Sequence, residues 1–473
     1  MEVIQQYERE VWRIVLSRCN ASEFLLSVND SHFALPAVDI PCQCRVAENL
    51  NAEIALRWDW KVVSLFSVVP PPNGTAHSRF RYHAVEPVDS GDPPPCGMRW
   101  VSASLLTNAS FANAEDFAAV REIADRPTRA GQARTNEPFG KPDWFANLCD
   151  WTQETIRPRG LHLTGGFTQL NASRTFSLIR FETNGPAVWF KAVGAPNLRE
   201  FPITIVLSKA LAPYIPKLLG TRSDWSGWLT EEAEGANLAN ATDFSLWMRA
   251  TRTLVEMQIH SIPEVSLLLD GGAHDVRIST LTRLVDPFFQ TIAELMKQQT
   301  RTAPPALSNR ELDNVRLAVE SALDELSSLA IPDALGHLDL NPGNIIVSAD
   351  RCVFLDWAEA CVGNPFLTFE YLLEHLCRAR PNIPDEEASL VKLYAHQWIG
   401  TAPQDDVTTS LALSPLLAVF AYAATVCTAS AKEPPHKPEL AAWLRSLTRR
   451  MKRESERIGT RTTSLTSVSE EIA

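Results

Sequence analysis

Basic charge is what this chain is short of. Lysine and arginine number 44 against 56 aspartates and glutamates, a net charge of −12. Such a surface repels the phosphates of nucleic acid and of anionic membranes, so neither is expected as the main partner. Cysteines with metal spacing are lacking too. The nine cysteines are an odd, scattered set in which only Cys42 and Cys44 lie close together, and a reducing cytoplasm is the simplest setting for them. The opening residues, Met1 to Glu10, carry charge from the start, so no secretory leader is expected there. One apolar run, Leu411 to Ala429, approaches the length that crosses a bilayer. It is broken by Ser414-Pro415, Tyr422, Thr425 and Thr428 and has no basic flanks, which makes it a buried helix of a helical core.

What is present suits a globular protein. Of the 473 residues 45% are hydrophobic and 21% charged, ordinary values that allow a large core, and a chain this long divides into roughly three domains. The first, residues 1–135, is expected to be a small α+β accessory domain. Val11–Leu16, Phe24–Val28, Lys61–Val68 and Arg79–Val85 read as strands, punctuated by Pro70–Gly74 and Pro93–Pro95, with a helix-like run from Val46 to Leu56. A further helix over Ala114–Ile123 closes this part, and the polar stretch Asp125–Pro138 reads as a linker. The order strand, strand, Leu35-Pro36, helix, strand resembles a Nudix domain. The glycines and the acidic set by which that family binds metal are missing, Glu48 and Glu53 being the acids of the helix, so hydrolase chemistry is not expected.

The chemistry sits far downstream, in Gly336-His337-Leu338-Asp339-Leu340-Asn341-Pro342-Gly343-Asn344 and in Leu355-Asp356-Trp357. Asp339 precedes the apolar run Ile345–Val347, which the turn-like Ser348–Arg351 joins to Cys352–Leu355 as a tight hairpin. This is a kit for phosphoryl transfer, a reaction in which the protein positions the acceptor and neutralises phosphate charge. One carboxylate, Asp339, can accept or orient a hydroxyl proton. Magnesium takes one or two carboxylates from protein and keeps several waters, and Asn344 and Asp356 are the oxygens on offer.

His337-x-Asp339-x-x-x-x-Asn344 follows the catalytic-loop spacing of protein kinases. Leu-Asn-Pro-Gly-Asn-Ile-Ile and the later Leu-Asp-Trp resemble the aminoglycoside phosphotransferase-like family of small-molecule kinases. The resemblance implies a two-lobed protein-kinase-like α+β fold, with a small β-sheet lobe over residues 136–234 and a large helical lobe over 235–455, and a disordered tail over 456–473. It implies Asp339 as catalytic base, Asn344 and Asp356 as magnesium ligands, ATP and Mg2+ as cofactors, and a small hydroxylated molecule as acceptor. Leu338 stands where protein kinases carry Arg, and Trp357-Ala358 where they carry Phe-Gly, so regulation of the protein-kinase type is not expected. The family usually has His where Asn341 stands.

Upstream, Gly165-Gly166 to Ser173 reads as a turn between two strands, where glycine lets backbone N–H groups approach phosphate. Lys191 ends the apolar strand Ala187–Lys191, as a lysine that clamps nucleotide phosphates would. Glu200, the one acid between Lys191 and Asp224, is its candidate partner, although Asn197-x-x-Glu200 also has capping-box spacing. By resemblance Trp228–Gly235 is the hinge between lobes, with Glu232 and Ala233 offering main-chain groups to adenine. Helices are expected over Phe244–Ile262, from Ser308 toward Leu329, and over Pro365–Glu374, where Glu370 and Glu374 share a face. With Glu359, those two could meet substrate ammonium groups or simply be solvated. A catalytically weak nucleotide-binding regulator is the alternative to an enzyme.

Overall fold

The computed structural model describes residues 8–29, 32–42, 45–69, 80–89, 93–125, 137–141, 143–380, 384–430 and 438–458. The turn at Pro70–Gly74, the centre of the expected linker and the tail from Gly459 lie outside them. The chain forms two units, one of residues 1–201 with 217–232, the other of 202–216 with 233–473. Both mix helix and sheet, an α+β protein.

The first unit contains two sheets. Strands β1 (Arg9–Arg18), β2 (Glu23–Asn29), β3 (His32–Ala34), β4 (Ala37–Pro41), β5 (Val62–Val68), β6 (Arg81–Pro87) and β7 (Met98–Ser102) make a seven-stranded sheet. Its path is β3-β2-β1-β6-β5, with β1 and β6 parallel. Alternation along β1 shows why it is central. Trp12, Ile14 and Leu16 enter one apolar cluster with Leu50 and Ile54 of helix α1 (Val46–Trp58), while Val15 enters another on the opposite face. The short strands β3, β4 and β7 had no clear alternation to announce them.

The second sheet is wholly antiparallel, in the order β11-β12-β10-β9-β8. Its strands are β8 (Leu163–Ala172), β9 (Ser177–Thr183), β10 (Val188–Ala192), β11 (Leu218–Arg222) and β12 (Gly227–Glu231). The expected boundary near residue 135 does not separate the two sheets. Phe24, Leu65, Phe66 and Tyr82 of the first share one buried cluster with Ile179, Phe181, Val188, Phe190 and Leu229 of the second, completed by Phe139 and by Trp144, Phe145 and Leu148. The last three belong to α3 (Trp144–Ile156), which follows α2 (Ala114–Ala124).

Polar stitches reinforce this joint. The Gln169 carboxamide, 2% exposed, accepts from Ser64 N at 2.7 Å, donates to Ser64 O at 2.9 Å and accepts from Asn51 Nδ2 at 3.1 Å. One side chain thus imitates a strand neighbour for β5. Arg174, at the turn between β8 and β9, donates to Glu122 at 2.9 Å and lies over Phe66 at 4.3 Å.

The second unit is mostly helical. Helix α4 (Glu200–Ala210) begins in the first unit, and from Pro202 onward belongs to the second. It is followed by β13 (Ala236–Asn237), α5 (Phe244–Ser261), α6 (Val265–Asp270), β14 (His274–Val276), α7 (Ile278–Lys297) and α8 (Asn309–Ser327). Ser308 and Glu311 close a reciprocal capping box on α8. Then come β15 (Ala334–His337), β16 (Ile345–Val347), β17 (Cys352–Phe354), β18 (Ala360–Gly363), α9 (Phe366–Ala379), α10 (Pro384–Trp398), α11 (Gln404–Ser430) and α12 (Pro438–Ser455). The strands form two small sheets, β13-β16-β17 and β14-β18-β15. Helix α11 is long and apolar enough to cross a membrane, yet 72% of its most apolar window is buried against the protein. Leu413, Leu416, Leu417 and Phe420 join Phe288, Val319 and Leu323 in a helical core.

Candidate active site

In the second unit the two chemical loops leave strands of the two small sheets, β15 and β17. Asp339 follows β15 and is exposed between Leu338 and Leu340, each 1% exposed, so two buried leucines peg the loop and turn the carboxylate outward. The expected hairpin is present, with Ile345 opposite Phe354 and Val347 opposite Cys352. Leu355 N donates to Asn344 O at 2.8 Å, which brings the Asn344 loop directly against the residue before Asp356. Asp356 has a left-handed backbone, φ 61° and ψ 65°, a conformation costly for most side chains and tolerated best by Asn and Asp.

His337 ties these loops together. Its Nδ1 accepts from Asp339 N–H at 3.1 Å, and its Nε2 lies 2.7 Å from Asp356 O. Because the first partner can only donate and the second only accept, the ring carries its proton on Nε2. Around it, Leu338 N–H donates to Glu359 O, His337 N–H to Thr368 Oγ1, and Trp357 Nε1–H to Phe354 O. Asn341 caps the following turn by accepting from Gly343 N–H at 2.8 Å.

These residues suit the groups their chemistry implies. Among the described residues no three His, Cys, Asp or Glu side chains gather as a metal cage. One carboxylate and one carboxamide on facing loops are a poor site for zinc and a sufficient one for magnesium, which retains water.

In the first unit Lys191 lies on β10, where Val188, Phe190 and Ala192 are buried and the alternate residues share the other face. Its Nζ is 2.5 Å from Glu200 Oε1, with Lys191 15% and Glu200 2% exposed. At the helix start Glu200 N–H bonds Asn197 O. The glycine pair is placed differently from expectation. Gly165 and Gly166 lie within β8, where the pairing register with β9 shifts between Leu163 and Phe167, and the turn comes later, between Ala172 and Ser177. Gly165 has φ +85°, and a Cβ on Gly166 would sit 2.1 Å from Glu182 Oε2. Both glycines answer local crowding and backbone geometry, while Ser173 Oγ, accepting from Phe176 N–H, shapes the true turn.

Glu232 and Ala233 follow β12. The Glu232 carboxylate is gripped by Arg180 at 2.6 and 2.9 Å and by Trp189 Nε1–H at 3.1 Å, and its N–H donates to Ala187 O. The Arg180 hydrogen bonds, aided by its charge and Trp189, hold this carboxyl below the usual range. A cavity of about 410 Å³ is lined here by Thr164, Arg180, Glu182 and Glu232.

A second cavity, of about 470 Å³, opens beside Asp339 and is lined also by Trp247, Asn341, His375, Arg378 and Ala379. Sequence reasoning missed Trp247, His375 and Arg378 in this role, because helical spacing gives a face but not what lies opposite it. Burial holds the His375 imidazole below its usual range, with Asp339 pulling the other way. Burial, and then the negative charges of Asp339 and Glu359, push Tyr422 up to about 12.

Residues 196–403 match the profile of the phosphotransferase enzyme family. This span contains Glu200, Asp339, Asn344 and Asp356, while Lys191 precedes it. No curated protein matches the chain significantly. Among solved structures, macrolide 2'-phosphotransferase MphH from Brachybacterium faecium is similar at 16% identity and TM-score 0.40, covering 62% of this chain and 99% of its own. A Plasmodium vivax ethanolamine kinase overlaps at 14% identity and TM-score 0.43, over 62% and 84%. A choline/ethanolamine kinase family protein from Mesorhizobium loti overlaps at 15% and 0.41, over 65% and 98%. Likeness of this degree says nothing of what this chain binds.

Proposed function

We propose that this protein is a cytoplasmic small-molecule kinase of the aminoglycoside phosphotransferase-like kind, transferring the γ-phosphoryl group of ATP to an alcohol. The supporting observation is the His337 bridge, which ties the Asp339 loop to the Asp356 loop while leaving both carboxylates exposed. In the reaction the acceptor oxygen forms a bond to the γ-phosphorus as the bond from that phosphorus to the β–γ bridging oxygen breaks. ADP leaves with the electron pair, and the hydroxyl proton passes to the Asp339 carboxylate. Asn344 and Asp356 hold the metal, and magnesium supplies neutralisation of phosphate charge when bound. Lys191, fixed by Glu200, offers a point charge to phosphate oxygens. The backbone near Ala233 is assigned to adenine, since the Glu232 carboxylate and N–H are both engaged within the first unit.

The test is acceptor-dependent ADP formation by wild type and by Asp339→Ala, with nucleotide binding followed by thermal shift. Loss of turnover with retained Mg·ATP binding supports the assignment, and full turnover by Asp339→Ala refutes it. Binding without turnover on any alcohol would favour a nucleotide-responsive regulator.

A further inference from the structure

The cavity beside Asp339 has an imbalance in its polar groups that says what it takes. Trp247, 1% exposed, forms part of its wall. Asn341 spends its side-chain oxygen on Gly343 N–H, which leaves the carboxamide NH2 as the group it can offer. Arg378 brings a guanidinium, 60% exposed and paired with Glu374. Glu374 is itself shared with Arg450, 2.7 Å away, so two arginines face one carboxylate. Arg378 and Asn341 thus line a cavity whose one lining carboxylate is Asp339, and that one is assigned to the reacting hydroxyl. Ala379 and the Trp247 ring supply apolar surface.

Polyammonium ligands need the opposite lining. The carboxylates that sequence offered for them are not available in this cavity: Glu374 is engaged by arginines, while Glu359 and Glu370 are not among its lining residues, and Glu359 lies 3.6 Å from His274. An ammonium group would meet two arginines that share one carboxylate, whereas a ligand carboxylate would add a second anion for Arg378 and could accept from the Asn341 carboxamide.

We propose that this cavity takes a hydroxy acid with an apolar face as the phosphoryl acceptor, with Arg378 as the residue that selects the acid. The inference rests on the kinase reading, with the bonds made and broken as given above, and deepens it by naming the acceptor class. The experiment uses the full chain with Mg·ATP and a panel of aliphatic and aromatic hydroxy acids such as 3-phenyllactate, their amides, matched amino alcohols, and kanamycin. ADP release is measured for each, and separately the thermal shift each compound gives without nucleotide. Expected is a KM at least tenfold lower for the best acid than for its amide. Arg378→Ala should raise that KM tenfold or more while leaving the KM for Mg·ATP within twofold. Preference of the wild type for amino alcohols or kanamycin overturns the proposal, as does an Arg378→Ala protein that still prefers acid over amide. If nothing is phosphorylated, the kinase reading fails by itself. In that case acid-induced stabilisation that Arg378→Ala abolishes upholds the acid site as a binding site, and its absence overturns it.

Discussion

In the first unit's cavity the cation and the anion are locked together, Arg180 gripping Glu232 through two hydrogen bonds with Trp189 as a third hand. In the second unit's cavity, of similar volume, Asp339 has no hydrogen-bonded counter-ion among the described residues. Paired charge rigidifies the place it occupies, and polar groups left over are the ones able to meet something else. The proposed chemistry therefore falls to the second cavity, while in the first the Arg180–Glu232 pair is already satisfied.

Four experiments break or sharpen that contrast. The largest effect is expected from Asp339→Asn, which should lower kcat by about 10²–10⁴-fold, the usual worth of a general base, with the melting temperature unchanged. Glu232→Gln should do the reverse, lowering stability more than turnover, and comparable loss of kcat in both would erase the distinction. Next is Glu200→Ala. It removes the carboxylate 2.5 Å from the mostly buried Lys191 ammonium and should destabilise by about 3–5 kcal/mol, read by denaturant titration. The double variant Lys191→Met with Glu200→Leu should recover most of that stability and none of the activity.

Third is Gln169→Leu, which removes the carboxamide from Ser64 and Asn51. Leaving two backbone groups of β5 unpaired should cost about 2–4 kcal/mol and speed hydrogen exchange in both β5 and β8. Exchange confined to one of them would mean the sheets are joined by apolar packing alone. The smallest effect concerns Glu86, which is buried and accepts from Asp143 N–H at 3.2 Å. Burial, outweighing that hydrogen bond, raises its carboxyl from 4.5 to about 8. The folded state therefore holds this proton more tightly than the unfolded one, and its contribution is present below pH 4.5 and lost as pH rises toward 8. Glu86→Gln should gain melting temperature over wild type at pH 8.5 and not at pH 4.5, and equal gains at both would refute the shift.

Much of this was legible in residue order. The alternation of Val188, Phe190 and Ala192 marked a strand with Lys191 on its free face, the Ser308–Glu311 box marked a helix start, and the hairpin around Ser348–Arg351 followed from its apolar arms. The hidden parts depend on long-range contacts. The glycine pair looked like a turn because a shifted register uses the same residue as a turn does, and no local pattern tells that Glu182 needs the space at Gly166. Gln169 lies 105 positions from Ser64, and Trp247 and Arg378 meet Asp339 only through tertiary packing.

The common interior of the two sheets has a consequence for how this chain can be dissected or can have evolved. Expression from residue 136 onward would remove Phe24, Leu65, Phe66 and Tyr82 from the buried cluster they share with Phe181 and Phe190, and such a fragment should aggregate instead of folding. The upstream residues are therefore not a removable passenger, and a mutation among them would be felt as a defect in the lysine-bearing sheet.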